Sequence, residues 1–137
     1  MENADLINEK LLNLTTYINE LKKIKPDTFE KYSTDTIRRY AAERLIQLII
    51  DLALDINNII LSSMKKPPAN DYYNSFIDLI ELNILDRELA YDIAPSTGLR
   101  NRLVHEYERI DDKIVYESLD KVIAFYSKYA VVINKSV

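Results

Sequence analysis

The sequence predicts an all-α protein folded as one domain over residues 1–137, and three observations carry that reading. Apolar residues recur at alternating spacings of four and three near both ends of the chain. No stretch shows the period-two alternation of a half-buried strand. A single glycine and four prolines leave little material for tight turns. Hydrophobic content of 47% with 29% charged residues fits a globular protein with a sizeable core and excludes disorder. With no cysteine, disulfides and thiolate metal sites are excluded, which suits a reducing compartment. Met1-Glu2-Asn3-Ala4-Asp5 lack the features of a signal peptide, and no apolar run is read as long enough to span a bilayer. The expectation is a soluble cytoplasmic protein without a membrane partner.

The first helix is expected from about Asp5 to Lys25, with Ile7, Leu11, Leu14, Ile18 and Leu21 as its inner stripe and Pro26 ending it. Asp27-Thr28-Phe29-Glu30 has capping-box spacing with aspartate in the capping place, read as a short connecting turn before a new start near Ser33 or Thr34. The long central helix, Thr34 to Ser63, confines Arg44, Gln47, Asp51, Asp55, Asn58 and Ser62 to one stripe of roughly 80°, and apolar side chains fill most of the rest. A surface helix needs an apolar stripe only somewhat over about 100° wide. Burial on more than one side is therefore expected, against the helix's own bundle and a second subunit, making a homodimer. Asp51 and Asp55 have helical spacing for two carboxylate ligands, but no Glu-x-x-His pair accompanies them, and no metal is expected. Arg39 and Glu43 fall inside the apolar arc, where an i, i+4 ion pair is available. They read either as a structural pair or as support orienting the site described next.

Lys65-Lys66-Pro67-Pro68-Ala69-Asn70 is a loop by composition. A third helix is expected from about Tyr72 to Ile84 with Phe76, Leu79 and Ile80 inward, then a short one from Arg87 to Ile93 capped by Asp86 and interrupted or kinked at Pro95. Ser96 or Thr97 can cap the next segment, and Gly98 is read as close backbone packing at the bend, or as room for a ligand or subunit. Asp111 and Asp112 start the last helix, which runs to about Asn134 with Val115, Leu119, Val122, Tyr126, Tyr129 and Ile133 inward. Tyr116, Tyr126 and Tyr129 could stack bases; core or interface packing is the expected use.

One stretch concentrates the chemistry. Gly98-Leu99-Arg100-Asn101-Arg102-Leu103-Val104-His105-Glu106-Tyr107 holds the only glycine, the only histidine and a basic cluster that Arg109 extends. The net charge of −4 argues against broad nucleic-acid binding, although a local patch overrides it. The string reads Arg-x4-His-x-Tyr and resembles the signature of the HEPN superfamily, specifically the HepT-like RNase toxins paired with a nucleotidyltransferase antitoxin. Arg39-Tyr40-Ala41-Ala42-Glu43-Arg44-Leu45-Ile46-Gln47 and Ile84-Leu85-Asp86 extend the resemblance from about Thr34 to the end of the chain.

The resemblance implies an up-and-down bundle of the HEPN type that dimerises, with two Arg-His sites facing a shared cleft. It also implies metal-free cleavage of RNA without a cofactor. Histidine, with an unperturbed pKa of about 6.5, can take the 2′-hydroxyl proton near neutral pH, which makes His105 the candidate base. The always-ionised, planar guanidinium of Arg100 is the candidate for holding the phosphate. Asn101, Glu43 and Arg39 are supporting candidates, and Arg102 and Arg109 are candidates for RNA binding. On a continuous helix Arg100 and His105 would project about 140° apart, and Tyr107 would return close to Arg100. The resemblance makes Tyr107 the acceptor of AMP from the antitoxin; without it, Tyr107 reads as packed beside Leu103 and Ile110. A HEPN domain that binds without cutting, as companion of a nucleotidyltransferase, and a helical dimeric adaptor are the alternatives.

Overall fold

The computed structural model describes residues 2–137, so Met1, at the head of the reading that finds no leader, lies outside the described residues. Helix α1, Ala4–Ile24, buries Ile7, Leu11, Leu14, Ile18 and Leu21, the stripe its spacing predicts. The region expected to be only a connecting turn is instead a short helix, α2, Phe29–Thr34. Thr28, not Asp27, caps it: the Thr28 hydroxyl accepts from the Lys31 amide at 3.2 Å, while Asp27 takes the Lys31 ammonium at 3.3 Å. Tyr32 anchors α2, fully buried with its ring 5.5 Å from that of Tyr116.

The central helix α3, Thr36–Ser63, starts later than expected because the Asp35 carboxylate caps it, accepting from the Arg38 amide at 3.0 Å. It touches α1, α2 and each of the three helices that later form the rest of the bundle wall. Ala42, Ile46, Ile49, Ile50, Ala53, Leu54, Ile56, Ile60 and Leu61 are buried, and Leu45, Leu52 and Ile59 pack half-buried against the same core. One protomer thus accounts for the wide apolar arc, and a second subunit no longer follows from it. What stays outside is at the start of the helix, where Ile37 is 81% and Tyr40 63% exposed. A second expectation is also corrected: by length and composition alone α3 could cross a membrane, and half of its apolar window is buried by the bundle.

Helix α4, Tyr72–Glu81, is capped by Asp71 and stops before the expected Ile84, where Asn83 turns the chain with a positive φ of 57°. Phe76 and Leu79 are buried as expected; Ile80 is half-buried. Helix α5, Arg87–Ile93, is capped by Asp86, as its sequence predicts. Ala94 and Pro95 keep right-handed helical dihedrals, so α6, Ser96–His105, follows after a kink. Neither Ser96 nor Thr97 caps α6; their hydroxyls reach back to the carbonyls of Ile93 at 2.6 Å and Ala94 at 2.8 Å. A 3₁₀ turn, Tyr107–Arg109, leads to α7, Asp112–Ser136, whose six expected inner residues are all buried.

The Ser63 hydroxyl meets the Glu2 carbonyl and Lys10 meets Asp55, so α1 and α3 run antiparallel. The α4–α5–α6 segment returns alongside α3, and α7 runs parallel to α3, with Arg39 beside Asp112 and Ala53 beside Tyr129. The result is an up-and-down all-helical bundle; among the described residues there is no strand. Phe76, Tyr126 and Tyr129 form one aromatic cluster with centroids 5.9–6.4 Å apart, so the last two belong to the core and do not stack bases. Tyr116 is half-buried, its hydroxyl donating to the Pro26 carbonyl at 3.2 Å.

A buried polar chain runs through this core. The Tyr129 hydroxyl lies 2.6 Å from Asn57 Oδ1 and 3.1 Å from the Ala53 carbonyl, Asn57 Nδ2 donates to Ser75 Oγ at 3.1 Å, and Ser75 donates to the Tyr72 carbonyl at 2.8 Å. It fixes the start of α4 against the middle of α3.

Candidate active site

Arg100 sits mid-way along α6 and turns toward α3 and α4. Its Nε donates to Asp51 Oδ1 at 2.7 Å, Nη1 donates to Asn101 Oδ1 at 3.3 Å, and its Cζ lies 5.0 Å from the centre of the Tyr72 ring. With the Arg100 side chain 15% and that of Asp51 33% exposed, the pair is partly desolvated, and its attraction is stronger than that of a surface pair. The carboxylate occupies the inner edge of the guanidinium and Tyr72 covers a face. The outer donors remain to receive an anion such as a phosphate oxygen.

His105 is the last residue of α6 and is exposed. It opens onto a shallow cleft of about 370 Å³ that it shares with Glu106, Tyr107, Glu108 and Arg109. Here the geometry departs from a continuous helix. Glu106, with φ −129° and ψ 29°, leaves the helical region, and the next residues form the 3₁₀ turn. Tyr107 therefore does not return beside Arg100 by helical periodicity. Nor is it packed beside Leu103 and Ile110: it is 64% exposed. The structure groups Tyr107 with His105 and Arg109, while the contacts of Arg100 are with Asp51, Asn101 and Tyr72. Arg102 opens onto neither; it lines the groove between α5, α6 and α7 with Lys121.

The expected ion pair of Arg39 with Glu43 is absent. Arg39 Nη1 donates to Asp112 Oδ2 at 2.8 Å, and its Nε is buried without an acceptor, as is the Tyr32 hydroxyl. Burial first, then the Asp112 carboxylate, push the Glu43 carboxyl above its ordinary value, with Arg39 offsetting part of this. This cluster joins α2, α3 and α7 and makes no hydrogen bond or ion pair with Arg100 or His105. Asp51, on the polar stripe of α3, is the carboxylate that holds Arg100, and Asp55 is paired with Lys10 at 3.3 Å. Among the described residues no cluster of three metal-ligating side chains forms. A Cβ at Gly98 would meet nothing within 4 Å and its φ is not positive, so neither the close packing expected of it nor backbone strain requires the glycine.

The all-helical bundle and the ribonuclease family model that the sequence matches place this chain in the class of HEPN-type ribonucleases, enzymes that cleave RNA. Within it, the chain belongs to the family described as Ribonuclease HepT-like, which matches residues 14–133. It is 39% identical over 129 residues to the tRNA nuclease HepT of Aphanizomenon flos-aquae, covering 94% of this chain and 88% of that one. It is 38% identical over 80 residues to a putative RNase of Archaeoglobus fulgidus, covering 58% and 60%. Among solved structures, a toxin-antitoxin crystal structure with AMP-PNP superposes with a TM-score of 0.87 at 20% identity, covering 96% of this chain and 98% of that one. The tri-AMPylated Shewanella oneidensis HEPN toxin in complex with its MNT antitoxin superposes with a TM-score of 0.86 at 21% identity and the same coverage.

Proposed function

We propose that this protein is the toxin of a toxin-antitoxin pair, a metal-independent endoribonuclease acting in the cytoplasm on tRNA and silenced by AMP transfer to Tyr107 from a nucleotidyltransferase antitoxin. The observation that carries this is the held Arg100 on the same helix as the exposed His105. His105 takes the proton of the 2′-hydroxyl, which attacks the adjacent phosphorus, and the 5′-oxygen of the next nucleotide leaves with a proton supplied from solvent. The products end in a 2′,3′-cyclic phosphate. Charge building on the phosphate oxygens meets the free donors of Arg100, oriented in advance by Asp51. Asn101 steadies the guanidinium through its carbonyl, and Arg109, beside His105, binds a flanking phosphate. Arg102, with Lys121 in the groove between α5, α6 and α7, binds a phosphate farther along the RNA.

The relative named as a tRNA nuclease supports the substrate. The exposure of Tyr107 beside His105 supports the switch: a phosphodiester and a nucleoside there would repel and obstruct an incoming RNA backbone. A homodimer is part of this reading, supported by the exposed Ile37 and Tyr40 at the start of α3. The test is cleavage of tRNA in excess chelator by wild type, Arg100→Ala and His105→Ala. Wild type cuts and leaves cyclic phosphate ends; neither variant cuts, and both keep the helical circular dichroism signal. Strict dependence on added magnesium, or normal cutting by both variants, would refute the mechanism.

A further inference from the structure

The loop between α3 and α4 borders a groove of about 510 Å³, lined by apolar and polar side chains, that the proposed reaction leaves unused. Asn58, Ser62, Lys66, Pro68, Asn70 and Tyr72 line it. Tyr72 belongs to the groove and to the site at once, because its ring also lies 5.0 Å from the Arg100 guanidinium carbon. The groove and Arg100 thus share the Tyr72 ring as a common wall. Its volume lies in the range of small-molecule sites, about 300–1,000 Å³.

We infer that this groove is a nucleotide subsite of the RNA substrate, taking the nucleotide next to the phosphate held by Arg100; the inference rests on the reading of Arg100 as the phosphate-holding residue. Each component of a nucleotide finds a counterpart. Tyr72, 42% exposed, offers an aromatic surface to the base. The amides of Asn58 and Asn70 and the hydroxyl of Ser62 make no side-chain hydrogen bond among the described residues, leaving donors and acceptors for a base edge or a ribose hydroxyl. Lys66 supplies a cation for the following phosphate. The walls are stiff: Lys65 takes a positive φ of 59°, the Lys66 amide bonds to the Leu61 carbonyl at 2.9 Å, and two prolines follow. Of the nearby carboxylates, Asp51 is paired with Arg100 and Asp55 with Lys10, while Asp71, which also lines the groove, caps α4 by accepting from the Asn74 amide at 2.8 Å.

The experiment compares kcat and KM for RNA cleavage, with their salt dependence, for wild type, Lys66→Ala, Tyr72→Leu and Tyr72→Phe, and measures binding of the same RNA to His105→Ala alone and combined with Lys66→Ala. Tyr72→Leu is expected to raise KM about tenfold, and Tyr72→Phe, which keeps the ring, to recover most of that loss. Lys66→Ala is expected to raise KM several-fold and to lower the slope of log affinity against log salt by about one, the signature of one lost phosphate contact. Wild-type KM and salt slope in both Lys66→Ala and Tyr72→Leu, with Arg100→Ala inactive, would overturn the subsite and leave the catalytic reading standing. RNA binding that is as tight and as salt-dependent in His105→Ala combined with Lys66→Ala as in His105→Ala alone would also overturn it. If wild type neither cuts nor, as His105→Ala, binds RNA, the underlying catalytic reading itself has failed.

Discussion

Removing the Asp51 carboxylate leaves the Arg100 guanidinium in a partly desolvated place with no counterion. The 2.7 Å contact is charge-assisted, and with 15% and 33% of the two side chains exposed it falls between an exposed pair, worth about 0.2–1 kcal/mol, and a buried pair whose rupture costs about 3–5 kcal/mol. Hydrogen bonds to charged groups contribute about 1.5–3 kcal/mol, so Asp51→Ala should cost about 2 kcal/mol, a fall in Tm of roughly 6–8 °C for a chain of this size. Asp51→Asn keeps an oxygen acceptor, loses the charge, and should cost about half as much. A double-mutant cycle with Arg100→Met, read from urea unfolding at one fixed protomer concentration, should return a coupling of about 2 kcal/mol. In cleavage assays Asp51→Ala should lower kcat at least about tenfold, the effect of roughly 1.4 kcal/mol of lost transition-state stabilisation. A coupling below about 0.5 kcal/mol would show that Asp51 does not hold the guanidinium, and the argument for a pre-oriented Arg100 would fall with it.

Tyr107→Phe should still cut RNA and escape its antitoxin; intact mass after incubation with the nucleotidyltransferase and ATP should rise by AMP on wild type alone, and an equal rise on the variant would exclude this tyrosine as the main acceptor. Light scattering across a dilution series should find twice the protomer mass, as a dimer held by a large interface would give, and a 16.0 kDa species at every concentration would remove the dimer. Because burial and Asp112 raise the Glu43 carboxyl, the folded chain binds that proton more tightly than the unfolded chain, and stability is lost as pH rises from the ordinary carboxylate value through the raised one. Glu43→Gln should flatten the urea midpoint against pH in that window and stabilise the protein at neutral pH; an unchanged profile would mean that Glu43 is well solvated.

The legible part of the fold is the part that local periodicity encodes. The stripes Ile7 to Leu21 and Val115 to Ile133 lie on single helices, where the four-three spacing alone decides which face is buried. Starts were less certain wherever capping residues crowd together: Asp27 and Thr28 compete for one cap, and only the extended backbone at Thr28 decides between them. The helix end at His105 left no mark in the sequence, since Glu106-Tyr107-Glu108-Arg109 contains no glycine or proline to announce it. Partners far apart in sequence were hidden altogether. Arg39 leaves its neighbour Glu43 for Asp112, which is 73 residues away, and Arg100 finds Asp51 at a distance of 49. The polar stripe of α3 displayed Asp51 but not its partner. The motif singles out Arg100 and His105 as candidates, whereas the contacts of Arg100 with Asp51 and Tyr72 come only from the packed bundle.

The Tyr129–Asn57–Ser75 chain bears on why this bundle has one packing arrangement and not several. Apolar helix faces of similar width tolerate sliding, because one leucine-sized knob fits many holes. A slip of α4 along α3 by one helical turn, about 5.4 Å, would part Ser75 from Asn57 and leave buried polar atoms unpaired at a cost of about 1–3 kcal/mol each. That penalty falls on the misaligned state alone. Three interior residues outside the active site thereby select one register, and the selected register sets the Tyr72 ring against Arg100.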